Sequence, residues 1–86
     1  MGTMSLERLK AARKKTIGTK QTAKALEKGR TRVVYVARDA EEHVTREVIR
    51  LAREQGLELV IVDSMMALGK ACGIEVGAAA AAILDA

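Results

Sequence analysis

Two short, nearly continuous apolar runs, Arg32-Val33-Val34-Tyr35-Val36-Ala37 and Leu59-Val60-Ile61-Val62, constrain the fold of this chain more than any other feature. Beyond Arg32, neither is interrupted by a polar residue, so each reads as a strand buried on both faces, where a half-wet strand would alternate. Such strands need helices above and below them. The segment between the runs supplies one: Val44, Val48, Leu51 and Ala52 keep helical spacing between a cap at Asp39 and a stop at Gly56. Its Glu42–Arg46 and Arg50–Glu54 pairs fall at i,i+4 on the wet side. Ser5 caps a first helix to about Lys14, Thr16-Ile17 is a short extended piece, and Thr19 opens a second helix that Gly29 stops. Asp63 and Ser64 cap a last short helix from Met65 to about Cys72, closed by Gly73. This alternation with short loops predicts one α/β domain over residues 1–86, with helices packed on both sides of a small sheet. Residues 1–3, ahead of Met4, have the look of an expression scar.

The carboxyl end leaves two readings open. Ala78 to Ala82 has the highest intrinsic helix propensity, yet it is short and terminal beside Ile83 and Leu84. The tertiary alternative is a strand in a narrow slot, where small side chains let neighbours approach.

Charge is divided unevenly along the chain. Residues 1–32 hold ten Lys or Arg against two Glu, and residues 33–86 hold five against nine acidic groups, so a net of +8 meets a net of −4 to give +4 overall. A basic third of this density (Arg8, Lys10, Arg13, Lys14, Lys15, Lys20, Lys24, Lys28, Arg30, Arg32) suits a phosphate-bearing partner. An anionic membrane fits less well, because Leu6, Leu9 and Ala12 make a thin stripe with no Trp or Phe to anchor it. No run approaches the roughly 18–20 apolar residues of a membrane span, and no signal peptide is visible. Cys72 stands alone, which excludes a disulfide framework and a CxxC metal site and points to the reducing cytoplasm. Tyr35 is the one aromatic residue, so RNA recognition must do without stacking platforms.

The segment Gly18-Thr19-Lys20-Gln21-Thr22-Ala23-Lys24 carries the most chemistry. In a helix opened by Thr19, Lys20, Gln21, Lys24 and Lys28 lie within a quarter turn of one another, opposite Thr22 and Leu26. Lys and Gln make directed hydrogen bonds to base edges, and the free N–H groups of a helix start attract phosphate. The competing reading of these residues is a plain solvated lysine face. Other apparent motifs carry less. Gly69-Lys70 lacks phosphate-loop spacing, and Lys70 and Glu75 spoil the Gly69, Gly73, Gly77 repeat as a membrane dimer face. His43 and Cys72 have no partner in sequence that makes a base or a nucleophile of them, Met65 and Met66 read as gap fillers, and the acidic residues near Asp39 read as helix-dipole partners. No catalytic constellation, metal site or cofactor site is predicted.

Taken in order, Gly18-Thr-Lys-Gln-Thr-Ala-Lys24, the apolar strand through Ala37 with Asp39, Val62-Asp-Ser64, and Leu68-Gly-Lys-Ala-Cys-Gly-Ile-Glu-Val-Gly-Ala-Ala79 resemble the kink-turn-binding ribosomal-protein superfamily. The match covers nearly the whole chain and is nearest to the short bacterial branch of the ribosomal protein "ell-seven-A-e" family; its Gly-Ile-Glu-Val-Gly-Ala segment is the more specific part. The resemblance implies a three-layer α/β/α sandwich around a small mixed four-stranded sheet, with the alanine run as a strand. It also implies a Gly-x-Asn-Glu-x-x-Lys element whose side chains contact guanines of tandem sheared G·A pairs, matched here by Gly18, Lys20, Gln21 and Lys24. The family's second contact, a loop with an Ile-Glu-Val core that packs on the bulge nucleotides, falls on Ile74, Glu75 and Val76. This chain departs from the pattern at two places: Lys20 replaces Asn and Gln21 replaces Glu, which adds a cation and weakens an acceptor for guanine N–H groups.

The sequence thus predicts a cytoplasmic, monomeric, non-enzymatic RNA-binding protein that reads kink-turns in ribosomal or riboswitch RNA through Gly18, Thr19, Lys20, Gln21, Lys24, Lys28, Ile74, Glu75 and Val76. The alternative is a ribonucleoprotein docking module whose main partner is a protein, with the basic third merely tracking ribosomal RNA. An enzyme using the Thr19 helix start to hold a phosphate lacks a base or nucleophile.

Overall fold

The computed structural model describes residues 2–85, in which helices and strands alternate from end to end: α1 Gly2–Ala11, β1 Lys15–Ile17, α2 Thr19–Glu27, β2 Thr31–Ala37, α3 Glu42–Glu54, β3 Glu58–Val62, α4 Met65–Ala71 and β4 Ala80–Leu84. The four strands form one sheet in the order β1-β4-β2-β3. The sheet is mixed, because β2 and β3 run parallel while β4 is antiparallel to both of its neighbours.

The uninterrupted apolar pattern of residues 33–37 now has its physical reason. Val33, Tyr35 and Ala37 pack with Leu9 of α1, with Leu68 and Ala71 of α4 and with Cys72 just after it. On the other face Val34 and Val36 pack with Leu26 of α2 and with Val48 and Ala52 of α3. Successive strand residues point to opposite faces, so only a sheet covered twice can accept apolar residues at every position. The result is a three-layer α/β/α sandwich around a four-stranded mixed sheet, as the rhythm and the resemblance both predict.

The alanine run is a strand. Ala80, Ala81 and Ala82 are fully buried, with Ala81 in the α1/α4 layer and Ala80 and Ala82 in the α2/α3 layer. Tertiary pairing overrides helix propensity: five residues are too few to sustain an isolated helix, whereas the slot between β1 and β2 offers hydrogen bonds along both edges.

Several local expectations are corrected. The helix α1 starts at Gly2, upstream of Ser5, and ends at Ala11 instead of Lys14. It stops because Lys15 enters the sheet opposite Ile83, and the Lys15 ammonium then donates to the Leu9 carbonyl at 3.1 Å at the helix end. Asp39 does not cap α3, whose N-cap is Glu41. Its carboxylate instead accepts from the backbone N–H of Met65, 2.8 Å away at the start of α4. In α3 the inward position belongs to Thr45, leaving Val44 38% exposed. Arg50–Glu54 closes at 2.7 Å with Glu47 as a second partner of the same guanidinium, but Glu42 and Arg46 do not pair. The strand β3 is only half covered: it lies at the sheet edge, and Ile61 is 45% exposed.

Candidate nucleic-acid interface

The start of α2 is built by Gly18. Its φ of +96° is a conformation that a side chain would strain, and it lets the chain turn sharply from β1 into the helix. In that turn the Gly18 N–H donates to the Ala80 carbonyl at 2.8 Å, and the Gly18 carbonyl accepts from Thr22 N–H at 3.1 Å. No side chain caps this helix start, so its first N–H groups point outward as donors.

Below that turn, Thr22 and Leu26 hold the helix to the sheet. The Thr22 hydroxyl bonds the Thr16 hydroxyl of β1 at 2.8 Å, and Leu26 is fully buried beneath the helix. At the far end, the Gln55 side-chain amide donates to the Leu26 carbonyl at 2.6 Å. With the inward face fixed, the sequence spacing sends Lys20, Gln21, Lys24 and Lys28 to the exposed face together, and Thr19 stays half-buried beside them. None of these four exposed side chains has an ion-pair or hydrogen-bond partner among the described residues. Four solvated donors in a row can engage phosphates and base edges without first breaking contacts within the protein.

The second predicted element, residues 74–77, is held against α4. Gly73, with φ +85°, ends that helix: its N–H bonds the Lys70 carbonyl, and the following Ile74 N–H bonds the Gly69 carbonyl at 3.1 Å. The loop then folds back over the helix. A Cβ added at Gly69 would collide with the Val76 carbonyl oxygen and lie 3.2 Å from the Gly77 Cα, so only a glycine lets the loop lie this close. Ala78 N–H donates to the Met65 carbonyl at 3.0 Å, and the Ala79 carbonyl accepts from Ala37 N–H at 2.9 Å.

This tethering sorts the loop's side chains. Val76 is 67% exposed and Glu75 faces solvent, while Ile74 is half-buried against the α1/α4 core layer. Of the two apolar residues predicted to meet the bulge, the structure thus presents Val76 and tucks Ile74 in as the loop's footing. Asp39 and Ser64 steady the same region, since the Ser64 hydroxyl accepts from Ala67 N–H at 3.1 Å while Asp39 holds Met65 N–H.

Strand β4 brings the two elements together. Its first residue, Ala80, bonds Gly18, and the loop runs straight into it, so helix start and loop tip share one end of the sheet. Lys28 caps the far end of α2, about two turns from Lys20. Sequence reasoning missed Gly69 as the seat of the loop and Asp39 as an α4 cap. No local signal marks a contact spanning 26 residues in sequence, although the fourth-residue spacing of Gly69, Gly73 and Gly77 marked the right segment.

No group of three or more His, Cys, Asp or Glu lies together as a metal site among the described residues. His43 is exposed beside Glu41 at 3.8 Å. Burial pushes the Cys72 thiol above its ordinary range, with Lys15 opposing weakly, so this cysteine is a core residue and a poor nucleophile.

Comparison with known proteins identifies the family. A family model described as the ribosomal protein L7Ae/L30e/S12e/Gadd45 family matches residues 3–86. An RNA-binding protein of Bacillus pumilus is 51% identical over 81 residues, covering 94% of this chain and 99% of the relative. The large ribosomal subunit protein eL8 of Halobacterium salinarum is 44% identical over 70 residues, or 80% of this chain and 58% of that protein. Among solved structures, a Giardia lamblia 15.5 kD RNA-binding protein superposes with a TM-score of 0.82 at 25% identity, covering 98% of this chain and 76% of its own. With the match spanning the sheet, the α2 start and the loop over Gly69, the chain belongs to the ribosomal protein L7Ae/L30e/S12e/Gadd45 family.

Proposed function

We propose that this chain is a non-enzymatic RNA-binding protein that recognises kink-turns, in ribosomal or riboswitch RNA. The observation that carries the proposal is the joining of two unlike surfaces at one end of the sheet. One is the unpartnered row Lys20, Gln21, Lys24, and the other is the exposed Val76 on its glycine-seated loop. A deep, narrow A-form major groove excludes side chains, so a helix start reads base edges only where the RNA bends and opens that groove. A bend also ejects nucleotides, and an exposed apolar loop beside the helix gives them a surface to pack on. The names borne by relatives, RNA-binding proteins in bacteria and a large-subunit ribosomal protein in an archaeon, support RNA as the ligand class.

In this arrangement Lys24 and Lys20 donate to guanine O6 or N7, and the Gln21 side-chain carbonyl accepts from guanine N–H groups. The free N–H groups above Gly18 attract a phosphate. Titration of one kink-turn RNA with and without its tandem G·A pairs tests this directly. Loss of the pairs should weaken binding by about 1–3 kcal/mol for each guanine contact removed. Equal affinity for both RNAs would sink the reading.

A further inference from the structure

The unpaired cations do not end at the face just described. At the opposite end of the sheet, Leu84 N–H donates to the Lys14 carbonyl at 3.0 Å and Asp85 N–H donates to the Arg30 carbonyl at 2.8 Å. The end of β4 therefore holds the α1–β1 turn on one side and the α2–β2 turn on the other. With strands spaced about 4.8 Å apart, this sets Lys14 and Arg30 roughly 10 Å from each other across the sheet end.

Two shallow grooves open there. One, of about 220 Å³, is lined by Gln21, Lys24, Lys28 and Arg30 above Thr16, and the other, of about 420 Å³, is lined by Arg13, Lys14 and Arg32. Both reach Leu84, so they adjoin. The first contains residues of the kink-turn face itself, which makes the surface continuous from Lys20 to Arg13. Along α2 alone, Lys20 to Lys28 spans about 12 Å.

The ionic state of these groups differs from that of Arg50 on α3. Arg13, Lys14, Lys28 and Arg30 are exposed and have no ion-pair partner among the described residues, and Arg32 reaches Asp85 only at 3.8 Å. On α3, by contrast, Arg50 is clamped between Glu47 at 2.8 Å and Glu54 at 2.7 Å. Unclamped cations along grooves suit a polyanion, and no aromatic residue lies along them to stack a base or to anchor in a membrane.

We propose that Arg13, Lys14 and Arg30, linked to the kink-turn face through Lys28, form a second RNA contact that grips the phosphate backbone of a duplex without reading its sequence. The route by which the RNA enters rests on the kink-turn reading, whereas the affinity of this end for duplex phosphate does not. A protein built this way holds the kink with one end of its sheet and a flanking or neighbouring helix with the other.

The test uses Arg13→Gln, Lys14→Gln and Arg30→Gln combined, with circular dichroism confirming that these exposed changes leave the fold intact. Wild type, this triple variant and Lys24→Ala are titrated over a salt series against three RNAs: a minimal kink-turn, the same kink-turn with one stem lengthened by a helical turn, and a plain duplex. Wild type should bind the lengthened RNA several-fold more tightly than the minimal one at low salt. The triple variant should lose that gain, keep the minimal kink-turn nearly unchanged, and flatten the salt slope on the plain duplex by about 2–3, at roughly 0.9 per phosphate contact. Lys24→Ala should weaken both kink-turns and keep the gain. An unchanged duplex slope in the triple variant, or equal losses on minimal and lengthened RNA, overturns the second contact. If wild type shows no preference for the kink-turn, the kink-turn reading fails and the duplex arm still decides this one. Vesicles of phosphatidylserine form a last arm: binding to them that the triple change abolishes, with duplex binding intact, would make this end a membrane contact and overturn the proposal.

Discussion

Replacing Gly69 by alanine separates the proposed binding role of the loop from its role in the fold. In the interior of a helix this change ordinarily stabilises by about 0.5–1 kcal/mol, because glycine loses more backbone entropy on folding. Here the added Cβ collides with the Val76 carbonyl oxygen and lies 3.0 Å from the Val76 carbonyl carbon. To reach a contact distance of about 3.5 Å the loop must withdraw by on the order of 1 Å, and overpacking of this kind costs about 1–3 kcal/mol. The two effects partly cancel, so the net loss of stability should be about 0–2 kcal/mol. For a domain of this size each kcal/mol corresponds to about 4–8 °C in Tm. Displacing Val76 should act more strongly on RNA binding, since a loop seated on a helix is either docked or not, and an undocked loop gives up its whole contact. Thermal melting and kink-turn titration of Gly69→Ala should therefore show a small shift in Tm beside a clear loss of affinity. Full affinity with a lowered Tm would show that the loop does not touch the RNA. Unchanged values of both would show that the loop has room to spare, contrary to the packing at Gly69.

Other perturbations test the remaining parts. Lys24→Ala should weaken kink-turn binding by about 1–3 kcal/mol while Lys10→Ala, on α1, changes it far less; equal losses in the titration would mean that only diffuse charge is at work. Val76→Asp should impair RNA binding with stability within about 0.5 kcal/mol of wild type, and a collapse of the melting transition would place Val76 in the core. Lys20→Asn combined with Gln21→Glu should tighten binding at high salt and flatten the dependence of log K on log salt, because a cation is removed and a stronger acceptor restored; an unchanged slope with unchanged affinity would mean that these side chains do not face the RNA. Burial raises the pKa of Tyr35, Arg8 lowering it and Glu58 raising it to a lesser extent, and burial likewise raises that of Cys72. Both groups then favour their neutral forms in the fold, so their contribution to stability is complete below the unfolded values and is lost as pH rises through the folded ones. Phenolate absorbance of the single tyrosine should accordingly appear together with loss of helical circular dichroism at alkaline pH, and a phenolate formed in an intact fold would refute that coupling.

What was legible in the sequence follows the range of the interactions involved. The covered strand at residues 33–37 could be read because both of its faces are apolar, and the outward face of α2 because Thr22 and Leu26 fix the inward one. The alanine strand could not be read from local propensity. Its conformation is decided by partners far away in the chain, Lys15–Ile17 and Thr31–Val36, and only the family resemblance supplied them. Asp39 failed for a related reason: a carboxylate near a helix start is a cap by local rules, but the helix it serves begins at Met65. Val44 and Ile61 failed because periodicity gives a face and not its coverage, and β3 lies at a sheet edge.

The candidate site depends on the same long-range architecture. Lys20, Gln21 and Lys24 are a short local pattern that a solvated helix would also display, and a lone exposed Val76 is unremarkable on any surface. The two gain meaning together, because Gly18 bonds Ala80 at the beginning of β4 and the loop runs directly into that residue. That strand can lie between two helical layers only because its inward residues are alanines, and the loop can lie on α4 only because residue 69 is glycine. The small residues of the carboxyl-terminal third therefore set the spacing between α2 and the apolar loop. Enlarging one of them, as in Ala82→Val, would press the α2 and α3 layer away from the sheet, overpacking a fully buried position at a cost of about 1–3 kcal/mol. Ala82 lies in the same layer as Leu26, so any displacement of α2 would carry its exposed lysines with it. If α2 reads a bent RNA as proposed, binding should then weaken through a substitution that touches no RNA, and titration of Ala82→Val on a kink-turn checks it; unchanged affinity would show that the depth of α2 does not matter to binding.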